Sequence, residues 1–366
     1  MRNSRTIILV VVIIIIAGSI YWLETKKTPR LTAKEVPIPP LASAKDSPYP
    51  RAKELAAPAG FVNTGPIAIS QFIGKKVVLI DFMTYSCINC QRTYPYLNAW
   101  WDKYKDHGLE IIGIHSPEFD FEKKIGNVQA AAKRFGLKFP IVLDNAYGTW
   151  NAYGNLYWPH DYLIDIYGNI IHDQIGEGSY DRTEREIQKA LQERKSALGL
   201  KGEAVPGGLV SPSNIFVTQA SMIKSEETYF GSARNSFLAS GIPGLSGVQA
   251  MPEVVSIRAN SLYLVGRWDL QPQFAQNKTA GDKIIYRYSA KDVYLVANSD
   301  RRVKIRVLLD GQPLGGRAGA DVGSDGTVTI KEDRLYRLIE DSVYGEHTLE
   351  IIIESPGLRV YTFTFG

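Results

Sequence analysis

Runs of apolar residues alternate with amphipathic segments between residues 56 and 199. The segments 75–83 (KKVVLIDFM) and 109–116 (LEIIGIHS) are short and apolar, which is typical of strands buried on both faces. A segment with helical spacing follows each of them, and a hairpin turn signal at 167–169 precedes a charged amphipathic helix. This order of elements predicts an α/β domain with a mixed sheet.

The pattern changes in the second half of the chain, where helical spacing of useful length disappears after about residue 250. Short runs such as 302–311 (RVKIRVLLDG) and 347–355 (HTLEIIIES) alternate apolar with polar residues and are separated by turn residues, Asp-Gly among them. We predict an all-β sandwich over residues 226–366. Residues 200–225, which begin with the Gly- and Pro-rich stretch LKGEAVPGGLVSPS, are predicted to be a linker.

The N-terminus carries a long apolar run. Residues 7–23 (IILVVVIIIIAGSIYWL) contain no charged side chain and are long enough to span a bilayer as a helix. Tyr21 and Trp22 stand where the aromatic belt of a membrane interface is expected. We therefore predict a single-pass membrane anchor over residues 1–24.

A Pro-rich stretch follows the predicted anchor. Residues 25–55 show neither helical nor strand periodicity and are predicted to be an extended tether. The alternative to the anchor is a cleaved signal peptide that ends near residues 17–19. Both interpretations place the two folded domains on the extracytoplasmic, periplasmic side of the cell membrane.

The composition of the chain limits the kinds of molecule that it is expected to bind. Hydrophobic residues make up 45% of the chain and charged residues 22%, which is enough apolar material for two cores. The formal net charge is only +4, and the chain has neither a dense Lys/Arg block nor a glycine loop that would cradle phosphates. These features argue against nucleic acid as a partner.

The two cysteines of the chain, Cys87 and Cys90, lie in the stretch FMTYSCINCQRTYP, directly after a predicted strand. A bridge between them closes too short a loop to stabilise the fold, so the pair is either a redox centre or half of a metal site. Zinc needs four ligands, and the five histidines show no zinc-like spacing. We interpret the pair as a redox centre that uses no metal or other cofactor.

The position of the pair also predicts the role of each thiol. A helix that begins near Cys90 offers free N–H groups and the positive end of its dipole, which favour a thiolate at Cys87. The thiolate is the reactive form, so Cys87 is predicted to attack. Cys90, one turn further into the helix and more buried, is predicted to resolve the mixed disulfide.

Several segments together resemble a known family. TYSCINC, YPYLNAWWDKY, GIHSPEF and NAYGNLYWPHDYLID resemble the extracytoplasmic thioredoxin-like (TlpA/redoxin) thiol-disulfide oxidoreductases and, within that branch, the C-terminal part of DipZ-type proteins. The resemblance covers residues from about 60 to 366. It implies a thioredoxin fold, a C-terminal jelly roll similar to carbohydrate-binding modules, and protein-disulfide oxidoreductase activity.

The resemblance also implies roles for single residues. Asp81, six residues before Cys87, matches a buried carboxylate that takes the proton of the resolving cysteine, although a strand-end Asp that faces water is the alternative. Pro159 matches a cis-proline that lines the edge where a substrate peptide docks. Three further residues are expected beside the substrate: Tyr85, Trp158 and Glu118. Core packing is the alternative for the two aromatic residues, and a solvated loop is the alternative for Glu118.

Partners follow from the resemblance as well. It implies disulfide-containing exported proteins as substrates and a membrane electron donor of the CcdA/DsbD kind. DipZ-type proteins also carry a multi-span electron-conducting domain, which one apolar span cannot replace. The pair between the cysteines, Ile88 and Asn89, differs from the Gly-Pro of thioredoxin and leaves the redox potential open. We predict that electrons flow towards the substrate.

Other functions stay open at this stage. A redoxin-type thiol peroxidase would use Thr84, three residues before Cys87, and the nearby Arg92. A copper-delivery protein on the same fold would use both thiols and a histidine, although that class spaces its cysteines three apart. In the second domain, three aromatic residues could stack on carbohydrate: Tyr263, Trp268 and Tyr344. The alternative for this domain is a structural or partner-docking role.

Overall fold

The structure is a computed structural model, which describes residues 47–202, 204–213 and 220–366. The predicted anchor at 1–24 and most of the predicted tether at 25–55 lie outside the described residues. Within the described part of the chain, every helix is too short or too polar to cross a bilayer.

The first domain is built on one six-stranded mixed sheet with the strand order β1-β4-β3-β2-β5-β6. The three central strands β4, β3 and β2 run parallel to one another, and the outer strands pair antiparallel. The strands are β1 Gly60–Val62, β2 Val77–Met83, β3 Leu109–His115, β4 Ile141–Leu143, β5 His160–Ile164 and β6 Ile170–Ile175; the α-helices are α1 Ile88–Tyr104, α2 Ile125–Phe135, α3 Gly148–Tyr153 and α4 Tyr180–Ala197.

Alternate residues of the central strands face opposite cores, because side chains alternate along a strand. Leu79 and Ile111 pack with residues of α1, α2 and α4 on one face. Ile80 and Ile112 pack with α3 and the chain before β2 on the other face. All seven residues of β2 are buried, so the prediction of a strand covered on both sides is confirmed. This covered strand leads directly into the cysteine motif.

The second domain is an all-β unit whose ten strands, among the described residues, join in one sheet. One long strand, β11, changes partners along its length: it pairs with β9 over 283–286 and with β16 over 293–298. The strands enclose a large apolar core around Trp268 and Leu295. They are β7 Thr228–Tyr229, β8 Gly247–Met251, β9 Leu262–Leu270, β10 Ala275–Asn277, β11 Lys283–Asn298, β12 Val303–Leu309, β13 Gln312–Pro313, β14 Thr327–Ile330, β15 Arg334–Ile353 and β16 Arg359–Phe365.

Candidate active site

Cys87 lies between β2 and α1, and Cys90 lies in the first turn of α1. Cys87 is the N-cap residue of α1, has extended backbone angles, and makes no capping hydrogen bond with its side chain. Cys87 is partly exposed, whereas Cys90 is 0% exposed. An accessible sulfur at a helix N-terminus beside a fully buried one is the arrangement expected of an attacking and a resolving thiol.

Burial sets the chemistry of Cys90. Burial raises the pKa of the Cys90 thiol well above its ordinary value, and the neighbouring Cys87 and the carboxyl of Asp81 raise it further. Cys90 is therefore a protonated thiol at neutral pH. Because only the thiolate attacks a disulfide, Cys90 needs a base that removes its proton.

The carboxyl group of Asp81 occupies the position of such a base. Asp81 is 0% exposed, which excludes the alternative of a strand-end Asp that faces water. No donor group among the described residues reaches either of its carboxyl oxygens. Burial raises the pKa of Asp81 well above its ordinary value, and a second carboxyl, that of Asp161, raises it further. Sequence analysis did not identify Asp161.

A second buried carboxylate, Glu122, supports the loop that precedes Cys87. Its Oε1 accepts hydrogen bonds from the hydroxyls of Thr84 and Ser86. Its Oε2 accepts the backbone N–H groups of Glu118 at 2.6 Å and Phe119 at 2.9 Å. Burial raises the pKa of Glu122 to about 7, although these hydrogen bonds favour its ionised form. Sequence analysis missed Glu122 because the run EFDFEKK looks like a solvated loop.

We expect Glu122→Gln to remove a loss of stability that the wild type shows between pH 5 and pH 8. Burial raises the pKa of Glu122 to about 7, so the stability that its protonated form contributes is lost as pH rises through 7, whereas the amide of the variant does not ionise. Urea unfolding at pH 5 and pH 8 should show that the stability of the wild type falls by about 2 kcal/mol more than that of the variant, with the exposed Glu193→Gln as the control. An equal fall in Glu122→Gln and Glu193→Gln would show that Glu122 does not ionise inside the protein.

The segment before β5 lies at the end of β2 that leads into the cysteine motif, since His160 pairs with Phe82. The Trp158–Pro159 peptide bond is cis, as the family resemblance implies. The indole N–H of Trp158 donates to the Ser116 carbonyl at 3.0 Å, which ties this segment to the end of β3. Leu156 and Tyr157, next to it, are 72% and 48% exposed. Contact between this segment and a substrate stays a prediction.

Tyr85 is a core residue, which is the alternative that the sequence left open for it. Tyr85 is 3% exposed, and its ring stacks on His115 with the ring centroids 5.6 Å apart. It lies near Phe121 on its other side, at 6.2 Å. Tyr85 therefore supports the cysteine loop from within the core and has almost no surface for a substrate.

Glu118 faces the second domain. Its Oε1 accepts hydrogen bonds from Arg234 at 2.7 Å and from the hydroxyl of Tyr229 at 2.9 Å. Arg234 and Tyr229 belong to the segment 225–237 (SEETYFGSARNSF), which therefore contacts the first domain. The contact makes Glu118 an interdomain residue.

Aromatic contacts extend this interface. Tyr361 of β16 packs on Phe119 and Phe121, with ring centroids 5.0 and 4.8 Å apart. Both phenylalanines lie in the loop that carries Glu122. The second domain therefore contacts the loop that holds the cysteine motif in place.

The residues required for the peroxidase alternative have other partners. Arg92 is 3% exposed, forms an ion pair with Glu177 at 3.0 Å, and lies over the ring of Tyr294. The hydroxyl of Thr84 donates to Glu122. Among the residues that the structure describes, no group of three His, Cys, Asp or Glu side chains is placed to hold a metal ion.

Comparison with known proteins places these features in a family. Residues 51–173 match the AhpC/TSA family, and residues 225–366 match a family described as a thioredoxin-like C-terminal domain. The protein DipZ of Mycobacterium tuberculosis is 37% identical over 318 residues, which are 86% of this chain and 43% of DipZ. The chain thus spans less than half the length of that relative.

Two shorter proteins match the first domain. The thiol-disulfide oxidoreductase ResA of Bacillus thuringiensis is 32% identical over 123 residues, which are 34% of this chain and 68% of ResA. The crystal structure of a thiol:disulfide interchange protein from Chlorobium tepidum covers 40% of this chain and 99% of that protein, with 21% identity and a TM-score of 0.35. With the match to ResA and a Cys-x-x-Cys motif at the start of a helix, the chain belongs to the thioredoxin-like thiol-disulfide oxidoreductases.

Proposed function

We propose that the protein is a membrane-tethered reductase of disulfides in exported proteins. One observation carries the proposal: a partly exposed Cys87 stands beside a fully buried Cys90, which lies near the buried carboxyl of Asp81. This arrangement provides a nucleophile that a partner protein can reach and a second thiol that it cannot reach. It also provides a base for the second thiol.

The reaction proceeds in two exchanges. The Cys87 thiolate attacks one sulfur of the substrate disulfide, the substrate S–S bond breaks, and the released sulfur takes up a proton. Cys90 then loses its proton to Asp81 and attacks the sulfur of Cys87, which breaks the mixed disulfide and releases the second substrate sulfur as a thiolate that takes up a proton from water. The substrate gains two electrons, and Cys87 and Cys90 end as a disulfide.

The direction of electron flow rests on the base and on the apolar N-terminal segment. A base beside the resolving thiol serves the step that releases a reduced product, since this step needs Cys90 as a thiolate. Residues 7–23 are apolar enough to anchor the domain in a membrane, where a donor of the CcdA/DsbD kind would meet it at high effective concentration. The donor then reduces the Cys87–Cys90 disulfide for the next cycle.

We expect alkylation trapping in intact cells to find Cys87 and Cys90 mostly as free thiols. Deletion of the membrane donor should leave them as a disulfide, because nothing else recharges them outside the cytoplasm. A variant whose residues 1–24 are replaced by a cleavable signal peptide is the control, and it should also become more oxidised. A pair that is mainly a disulfide in wild-type cells would reverse the proposed direction.

The second domain is proposed to be a jelly roll of the carbohydrate-binding-module kind with a structural role. The hydrogen bonds from Arg234 and Tyr229 to Glu118 support this role, since they hold the loop that carries Glu122. Carbohydrate binding is the alternative. Two of the three aromatic residues considered for it are buried, Trp268 at 0% and Tyr263 at 6% exposure, whereas Tyr344 is partly exposed.

A further inference from the structure

Asp161 lies directly opposite Asp81. The two residues are partners in the antiparallel pairing of β2 with β5. Side chains of such partners lie on the same face of a sheet, about 5 Å apart at their Cβ atoms. Asp161 is 4% exposed and Asp81 is 0% exposed, so both residues lie in the protein interior.

The described residues provide neither a hydrogen-bond donor to three of the four carboxyl oxygens nor a cation near Asp81. Both oxygens of Asp81 and Oδ1 of Asp161 lack a hydrogen-bond donor among the described residues. Two ionised carboxylates can only accept, so a hydrogen bond between them exists only while one of them holds a proton. Besides Asp161, three titratable groups interact with Asp81, namely the thiols of Cys87 and Cys90 and the phenol of Tyr94. None of these groups is a cation.

The strand on the other side of Asp161 brings no cation to the pair, and burial and Asp81 are the influences on its pKa. On β6 its partner is the neutral Gln174. Burial raises the pKa of Asp161 to about 7. Two like charges at this distance in a buried site raise the proton affinity of whichever group is protonated first.

We propose that Asp161 is a positioning residue that acts through Asp81, and that the two carboxyl groups share the proton released by Cys90. This inference rests on the proposed role of Asp81 as the base for Cys90. The Asp161 carboxylate raises the proton affinity of Asp81 towards that of the buried Cys90 thiol, so the transfer becomes nearly balanced in energy.

The proton balance of the resolving step includes one proton from water. When the mixed disulfide resolves, the Cys90 proton moves to Asp81, the Cys90–Cys87 bond forms, and the bond from Cys87 to the substrate breaks, so the substrate sulfur leaves as a thiolate that takes a proton from water. The oxidised enzyme then holds one proton in a hydrogen bond between Asp81 and Asp161. When the disulfide is reduced again, that proton returns to the Cys90 sulfur as it leaves.

The test compares the titration of Asp81 in the wild type and in Asp161→Asn. The ¹³C NMR signals of the aspartate carboxyl carbons monitor the titration in the oxidised, substrate-free protein. In the wild type, the carboxyl carbons of Asp81 and Asp161 should titrate in two shared steps. In the variant, Asp81 should titrate in one step, at least about one pH unit below the upper step of the wild type. Asp173→Asn is the matched control, since Asp173 lies on the adjacent strand β6 and its side chain is 55% exposed.

Kinetics provide the second readout. The rise of the resolving rate with pH should move to lower pH in Asp161→Asn, and its plateau should fall about threefold because Asp81 becomes a weaker base. A purely structural role would lower the rate without moving the midpoint. An unchanged Asp81 midpoint in the variant, or independent single-step titrations in the wild type, would overturn the proposal. The NMR titration needs no substrate, so it stands whether or not the direction of electron flow is correct.

Discussion

Cys90→Ser will accumulate mixed disulfides between Cys87 and its substrate proteins, whereas Cys87→Ser will accumulate none. The physical reason is access, since Cys87 is partly exposed at the N-terminus of α1 and Cys90 is 0% exposed. With Cys90 replaced, the second exchange has no attacking thiol and the first intermediate persists.

Non-reducing gels of cells quenched with acid and alkylated measure this difference. The double variant Cys87→Ser/Cys90→Ser is the matched control, because it keeps the fold and has no thiol at all. We expect trapped complexes in Cys90→Ser alone. Equal trapping by the two single variants would mean that the roles of the thiols are not distinct.

Asp81→Asn should slow the resolving step by about 100-fold and leave the first attack nearly unchanged. The amide cannot take the Cys90 proton, whereas the attack by Cys87 does not use Asp81. Stopped-flow kinetics with a substrate that forms an observable mixed disulfide separates the two steps. The exposed Asp102→Asn is the control, and an unchanged resolving rate in Asp81→Asn would show that another group takes the proton.

The same substitution should raise stability at alkaline pH. Burial and Asp161 raise the pKa of Asp81 above its ordinary value of 3.8, so its folded form prefers the protonated state. The stability that this preference contributes is complete below about pH 4 and is lost as pH rises through the folded pKa. Asn has no charge to bury, so we expect Asp81→Asn to be about 2 kcal/mol more stable than the wild type at pH 8. Urea unfolding at pH 5 and pH 8 measures the difference.

Sequence patterns predicted the elements that carry the cysteines, because those elements depend on local order. The apolar run before Cys87 produced β2, and the helical spacing after it produced α1 from Ile88 to Tyr104. The short elements β1 and α3 were missed, since three to six residues are too few to show a period. In the second domain, alternation indicated strands but not that β11 runs from Lys283 to Asn298 and changes partners through bulges.

The sequence by itself determined the chemistry of the site: two thiols at the junction of a strand and a helix, and a carboxylate on that strand. These features lie within ten residues of one another, so a linear pattern locates the two thiols and the family resemblance identifies the carboxylate. The tertiary structure alone decided the surroundings. Asp161 meets Asp81 only because β5 pairs antiparallel with β2 in one register. Glu122 is buried only because its loop folds over Thr84 and Ser86. Burial and strand pairing depend on residues far apart in the chain, so no local pattern reports them.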